Sequence, residues 1–164
     1  MQNTGNLKVT TPSDREIVMT RVFDAPRQLV FDGFIKLEVV KQWQYGPDDW
    51  TLAVCEFDLR PGGALRYEWR HTDGREMGMS GVYREIAPPE RLVHTEIFDE
   101  DWTGGETLVT TTFDERDGKT TVAMTVLYSS REVRDMVLKT GMEHGMSAGY
   151  DRLEQLLPAM AATD

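Results

Sequence analysis

The three histidines are the first side chains of this 164-residue sequence to consider for chemistry. His71, His94 and His144 fall on different predicted elements, with neither an HxH nor an HExxH spacing. Metal sites group several His or Cys ligands at short spacings, so we predict no metal ligand and no cofactor. A GxSxG turn and a glycine-rich phosphate loop are also missing from the sequence, which argues against hydrolase and nucleotide-dependent chemistry.

His94 and Glu96 are the one pair with a spacing suited to acid-base work. Residues two apart on a strand share a face, and both lie in RLVHTEIF. On a concave face they could serve a cyclisation or dehydration as acid and base. On the outer face they would be solvated side chains. We favour the outer face and assign no catalytic residue.

Cys55 is the single cysteine, so an internal disulfide is ruled out. It lies in the strand-like run TLAVCEFDL, where a free thiol usually behaves as a small buried hydrophobic group. A lone cysteine also agrees with a reducing compartment. We assign Cys55 no functional role.

Aromatic and thioether side chains form the strongest candidate binding set. Alternation in ALRYEWRH puts Tyr67 and Trp69 on one face, and Met79 and Tyr83 share a face of the next strand. Nine methionines favour a pocket that adapts to its ligand, although the same set could be ordinary core. The predicted lining residues are Trp43, Tyr67, Trp69, Met79, Tyr83, Met142 and Met146.

Elements that position these side chains follow from periodicity and turn chemistry. Residues 15–23 predict a strand, and Asp24 or Ala25 is expected to cap two short helices that begin at Pro26. A meander over residues 51–128 is predicted next, because short turns join antiparallel neighbours. Its strands are TLAVCEFDL, ALRYEWRH, EMGMSGVYREI, RLVHTEIF, TLVTTTFDE and KTTVAMTVLY.

The C-terminal segment predicts a helix that starts at a capping box made by Ser129 and Glu132. A bend is expected at Thr140-Gly141, with a buried face over 142–157 and an end at Pro158. Gly141, Gly145 and Gly149 share one helix face, which indicates either close packing against the sheet or space for a ligand; we favour close packing.

Domain organisation is predicted to be simple. A flexible arm over residues 1–14 precedes one domain over 15–157, and a short tail covers 158–164. The chain length suits one core. Its net charge of −10, without a basic block, makes nucleic acid and anionic membranes poor partners. A polar N-terminus and the lack of a long apolar run predict a cytoplasmic protein.

Several short motifs, spread over about residues 15–157, together resemble one known family. They are Phe23-Asp24-Ala25-Pro26, Trp43 with Gly46-Pro47, DLRPGG at 58–63, GVYREIAPPERLV at 81–93, and Gly141-Met142 with Asp151-Arg152-Leu153. The sequence resembles the START-like SRPBCC superfamily, in the branch of homologues of the activator of the heat-shock protein ninety ATPase. This resemblance implies the α+β helix-grip fold, in which a curved antiparallel sheet wraps around a long C-terminal helix.

The resemblance says less about the function of the protein than about its fold. Family members look like binders of hydrophobic ligands, and a few related proteins are cyclases or aromatases. We therefore expect a small apolar molecule between sheet and terminal helix. A cyclase or aromatase acting on a polyketide-like substrate and a chaperone-interaction module stay open, as does a homodimer. Met146 stands where the family often has Trp, so we expect it to tune ligand size.

Overall fold

The computed structural model describes residues 7–163. This part of the chain forms an eight-stranded sheet and four helices. The elements in chain order are β1 (Lys8–Thr10), β2 (Glu16–Phe23), α1 (Arg27–Ile35), α2 (Leu37–Val40), β3 (Trp50–Phe57), β4 (Ala64–His71), β5 (Glu76–Ala87), β6 (Arg91–Phe98), β7 (Thr107–Arg116), β8 (Lys119–Leu127), α3 (Arg131–Leu138) and α4 (Met142–Thr163).

The sheet is antiparallel throughout, in the order β1-β2-β8-β7-β6-β5-β4-β3. Strands β3 to β8 form the predicted meander, and β2 pairs with β8 so that the first strand of the domain lies next to the last. The predicted α+β helix-grip architecture is confirmed: α4 runs across the concave face, and α1 and α2 cover one end.

The pairing of β5 with β6 contains an unusually close approach of two backbones. A side-chain carbon added at Gly81 would lie 1.9 Å from the carbonyl oxygen of Thr95, so the two backbones approach more closely than any other residue type permits. The register shifts nearby, between Tyr83 and Glu85. Such irregularities bend a strand and increase its twist, so this one contributes to the curvature of the sheet.

Strand β2 carries an unusual residue on its buried face. Ile17, Met19 and Phe23 are completely buried, and Arg21 lies between them with 3% of its surface exposed. Its guanidinium donates to Asp151 Oδ1 at 2.8 Å. This ion pair joins β2 to α4 across the interior, where an unpaired charge would be costly.

Helix boundaries differ from the sequence predictions in three places. The residue preceding α1 is Pro26, without a side-chain cap, rather than Asp24 or Ala25. Ser130, not Ser129, caps α3 and accepts a hydrogen bond from the Val133 amide. Gly141 has φ of 75° and separates α3 from α4, because this left-handed conformation cannot continue a helix.

The structure also differs from the sequence predictions at both ends of the chain. Residues 8–10 of the predicted arm form β1, which pairs with β2, while residues 1–6 lie outside the described part. At the other end, α4 continues through Pro158 to Thr163 instead of stopping. Met160 packs against the core cluster beyond Pro158, which holds the last turns in place despite the missing proline amide.

Candidate ligand-binding site

A cavity of about 520 Å³ lies between the concave face of the sheet and the N-terminal half of α4. All seven side chains that the sequence predicted as lining residues border this one cavity: Trp43, Tyr67, Trp69, Met79, Tyr83, Met142 and Met146. Their grouping is therefore a structural fact, and their contact with a ligand stays a prediction.

Strands β4 and β5 supply the largest apolar side chains of the sheet wall. Tyr67 is paired in register with Met79, and both are buried, with 6% and 3% of their surface exposed. Trp69 lies next to Tyr67 with the ring centres 5.7 Å apart. These strands present large apolar side chains because alternate residues point into the cup.

The helix wall contains Met142 and Met146, each half-buried, one turn apart. Between and beyond them, Gly145 and Gly149 let the 43–47 segment approach the helix. A side-chain carbon added at Gly149 would lie 3.0 Å from the Trp43 carbonyl oxygen, and one at Gly145 3.4 Å from Pro47 Cδ. At these two positions the glycines pack closely, as predicted, but against this segment and not against the sheet.

Trp43 has two structural roles at the inner edge of the cavity. Its indole Nε1 donates to the Gly33 carbonyl at 2.9 Å, and its ring packs edge-on against Phe34 with centres 5.0 Å apart. The side chain therefore fastens the short helices while one surface borders the cavity. Arg152 fixes the segment that follows, because it stacks 3.7 Å from the centre of the Tyr45 ring and donates to Asp48 at 2.9 Å.

His94 and Glu96 face the cavity, so the favoured outer-face interpretation was wrong. The side chains are 18% and 21% exposed, and His94 Nε2 lies 2.9 Å from Glu96 Oε2. Leu92 and Phe98, on the same strand face, also line the cavity. Alternation correctly grouped the pair, but it could not tell which face of β6 is concave.

Tyrosine hydroxyls complete the polar part of the lining. Burial raises the pKa of Tyr83 and of Tyr128 well above the ordinary value, so both hydroxyls keep their protons and can donate hydrogen bonds. Sequence reasoning missed Tyr128, although its alternation with Met124 and Val126 carried the signal. Thr107 and Thr111 on β7 add two further hydroxyls to the lining.

Cys55 lies behind this wall and does not line the cavity. It is 4% exposed. Burial raises the pKa of its thiol to about 11, although Lys41 and a hydrogen bond with Tyr67 act in the opposite direction. A protonated buried thiol is a poor nucleophile, in keeping with the absence of an assigned role.

Two further observations concern residues 7–163. Within that range, three or more His, Cys, Asp or Glu side chains never come together in a way that could hold a metal ion. None of the helices in the same range has the length and apolar composition needed to cross a bilayer.

A cup-shaped antiparallel sheet closed by a C-terminal helix defines a helix-grip protein. The chain belongs to the Activator of Hsp90 ATPase homolog 1-like family, whose model matches residues 24–158. A search of curated proteins finds no match.

Solved structures agree with this family assignment. A Rhodobacter sphaeroides protein is 31% identical, with a TM-score of 0.87 over 93% of this chain and 98% of its own. A Staphylococcus epidermidis protein is 26% identical, with a TM-score of 0.79 over 93% and 94%. An AHSA1-like protein from Aeromonas hydrophila, 17% identical, has a TM-score of 0.69 over 85% and 92%, and supports the fold alone.

Proposed function

We propose that this chain binds a small, mostly apolar molecule in the cavity between the sheet and α4. The observation that carries the proposal is the cavity itself, about 520 Å³ in volume and lined largely by aromatic and thioether side chains. Pockets for small molecules commonly have volumes of about 300–1,000 Å³ and apolar walls with a few polar groups. A void of this size in a folded core loses packing energy that a ligand would restore.

The lining favours a ligand with some freedom of shape. Met79, Met142 and Met146 bring unbranched side chains to opposite walls, and thioethers change rotamer readily around different apolar groups. Trp102 and Met77 line the cavity while 37% of each remains exposed. They mark the mouth through which a ligand would enter.

The first experiment is native mass spectrometry of the freshly purified protein, followed by extraction of any bound molecule. The second is a fluorescence titration with N-phenyl-1-naphthylamine, a neutral apolar dye. We expect saturable dye binding to the wild type. We also expect at least about tenfold weaker binding to Met146→Trp, because the indole would occupy space beside α4.

Met136→Trp is the matched control, since Met136 lies on α3 with 41% exposure and does not line the cavity. It should bind dye like the wild type. Thermal melting of both variants shows whether weaker dye binding results from filling of the cavity or from destabilisation of the folded protein. Unchanged dye binding together with a sharply lowered melting temperature in Met146→Trp would overturn the assignment of Met146 to the site. A wild type that binds no dye would contradict the proposed function.

One observation favours a second candidate, an enzyme that uses acid-base chemistry. The His94–Glu96 pair lies inside the cavity at hydrogen-bonding distance, where it could move a proton on a bound substrate during a dehydration or cyclisation. An extracted ligand incubated with fresh protein would be followed by mass spectrometry. Loss of one water in the presence of wild type but not His94→Ala would support catalysis, and an unchanged ligand mass would argue against a dehydration.

A further inference from the structure

We infer that the molecule in this cavity is uncharged, carries at least one hydrogen-bonding group such as a hydroxyl, and places that group near Tyr83, His94 and Tyr128, while the cavity rejects organic anions. This inference rests on the proposed function and narrows it to a chemical class. It follows from the charges and unpaired polar atoms that line the cavity.

The lining contains no positive charge that could neutralise an anion. Its 31 residues, all within the described range, include neither Lys nor Arg, and Glu96 is their single carboxylate. His94 is bonded to that carboxylate. A carboxylate or sulfonate entering the cavity would be desolvated without a partner.

Two arginines that lie over aromatic residues of the lining, Arg152 over Tyr45 and Arg75 over Trp50, are paired with carboxylates of their own. Arg152 donates to Asp48 at 2.9 Å, and Arg75 donates to Asp73 at 2.8 Å. The N-terminus of α4 is also a positive end beside the cavity, and Glu143 lies in its first turn, where an acidic side chain offsets the helix dipole.

Polar atoms of the lining are available to a neutral ligand. Tyr128 is 4% exposed, and none of the hydrogen bonds identified in residues 7–163 involves its hydroxyl. The same holds for the Tyr83 hydroxyl and for Nδ1 of His94 in this part of the chain. Because these residues line the cavity, a ligand hydroxyl could bond to polar atoms that no protein group pairs in this part of the chain.

Charge selection is tested with two dyes that share a skeleton. N-phenyl-1-naphthylamine is neutral, and 1-anilinonaphthalene-8-sulfonate adds one sulfonate. We expect the neutral dye to bind at least about tenfold more tightly, because the Glu96 carboxylate inside the cavity repels an anion at short range. The preference should persist at high salt, which screens surface charge much more than charge inside a cavity.

Glu96→Gln should reduce this preference by raising the affinity for the sulfonate dye. Glu68→Gln is the matched control, since Glu68 lies on the outer face of β4, paired with Arg66 at 3.1 Å. It removes the same charge from outside the cavity, so the ratio of the two affinities should not change. Should Glu96→Gln fail to fold, the wild-type ratio at high salt decides the question alone.

The hydroxyl requirement is tested by competition. Naphthalene and 2-naphthol would each displace the neutral dye from the wild type and from Tyr128→Phe. We expect 2-naphthol to compete more strongly although it is less apolar, and to lose several-fold of that advantage in the variant, which lacks one oxygen atom.

The outcomes separate this inference from the proposed function. Tight binding of both dyes with equal affinity would overturn the charge selection while leaving the ligand-binding function intact. Naphthalene competing as well as 2-naphthol would overturn the hydroxyl requirement. Failure of every neutral probe to bind would overturn both the inference and the function on which it rests.

Discussion

The two halves of α4 pack against the rest of the molecule in different ways. Leu153 and Leu157 in the second half are at most 2% exposed and belong to one core cluster with α1 and β8. Met142 and Met146 in the first half are half-buried and border the cavity.

The cause of the difference is what lies opposite each half. Leu153 packs directly on Gly33 of α1, with Cδ1 2.7 Å from the place where a side-chain carbon would be. The first half meets the 43–47 segment on one side and the cavity on the other. One helix therefore stabilises the fold with its second half and shapes a binding site with its first.

Truncating a side chain in each half should give the largest contrast. Leu153→Ala should lower the free energy of unfolding by about 2–5 kcal/mol, because it opens a cavity in a closed core. Met146→Ala should lower the free energy of unfolding by less than about 1 kcal/mol, since one side of Met146 already borders the cavity. Urea unfolding of both variants measures this contrast, and equal losses would show that the two halves are packed alike.

Trp43, at the junction of the two halves, gives the next test. Trp43→Phe removes the donor to the Gly33 carbonyl and should cost about 1–3 kcal/mol, because a buried acceptor loses its partner. Trp69→Phe is the control: its Nε1 donates to the Gln44 carbonyl at 3.1 Å in the half-buried rim, where water can replace it. A larger loss for Trp69→Phe than for Trp43→Phe would contradict this assignment.

Alanine at the two helix glycines should have effects of opposite sign. Gly149→Ala places a carbon against the Trp43 backbone and should destabilise the protein by about 1 kcal/mol. At Gly145 the nearest atom is farther away, so Gly145→Ala should gain up to about 1 kcal/mol of helix propensity. Thermal melts of both variants test the prediction, which fails if Gly149→Ala is the more stable protein.

The smallest of the expected effects is a pH dependence of stability that arises from Glu154 in the second half of α4. Burial raises the pKa of Glu154 above 4.5, against the opposing influence of the Asp24 amide and Arg21. The folded state therefore holds this proton more tightly than the unfolded chain, and stability should fall as pH rises from about the unfolded pKa through the folded value.

Glu154→Gln should remove that decline and keep an oxygen to accept from the Asp24 amide. The measurement is the difference in unfolding free energy between wild type and variant across this pH interval. Glu143→Gln, in the first half, should follow the wild-type profile, and parallel profiles for wild type and Glu154→Gln would count against the shift.

The meander and the terminal helix could be predicted because their signals are local: turn residues at strand ends and a three-and-four apolar spacing. The seven lining residues followed from the same periodicity combined with the family resemblance. Two features had no such signal. A polar pair such as His94 and Glu96 fits either sheet face. Arg21 interrupts an apolar stripe on β2, and no local pattern predicts this because its partner Asp151 lies 130 residues away in the sequence.

The pairing of β2 with β8 has a consequence for how fast the protein folds. Every other strand pair in residues 7–163 joins consecutive strands, whereas this pair aligns Phe23 with Thr120. Hairpins that close short loops form early, and closing a long loop costs more chain entropy before its contacts form. We expect the meander to assemble first and the docking of β2 to limit the folding rate, so the concave face gains its full width late.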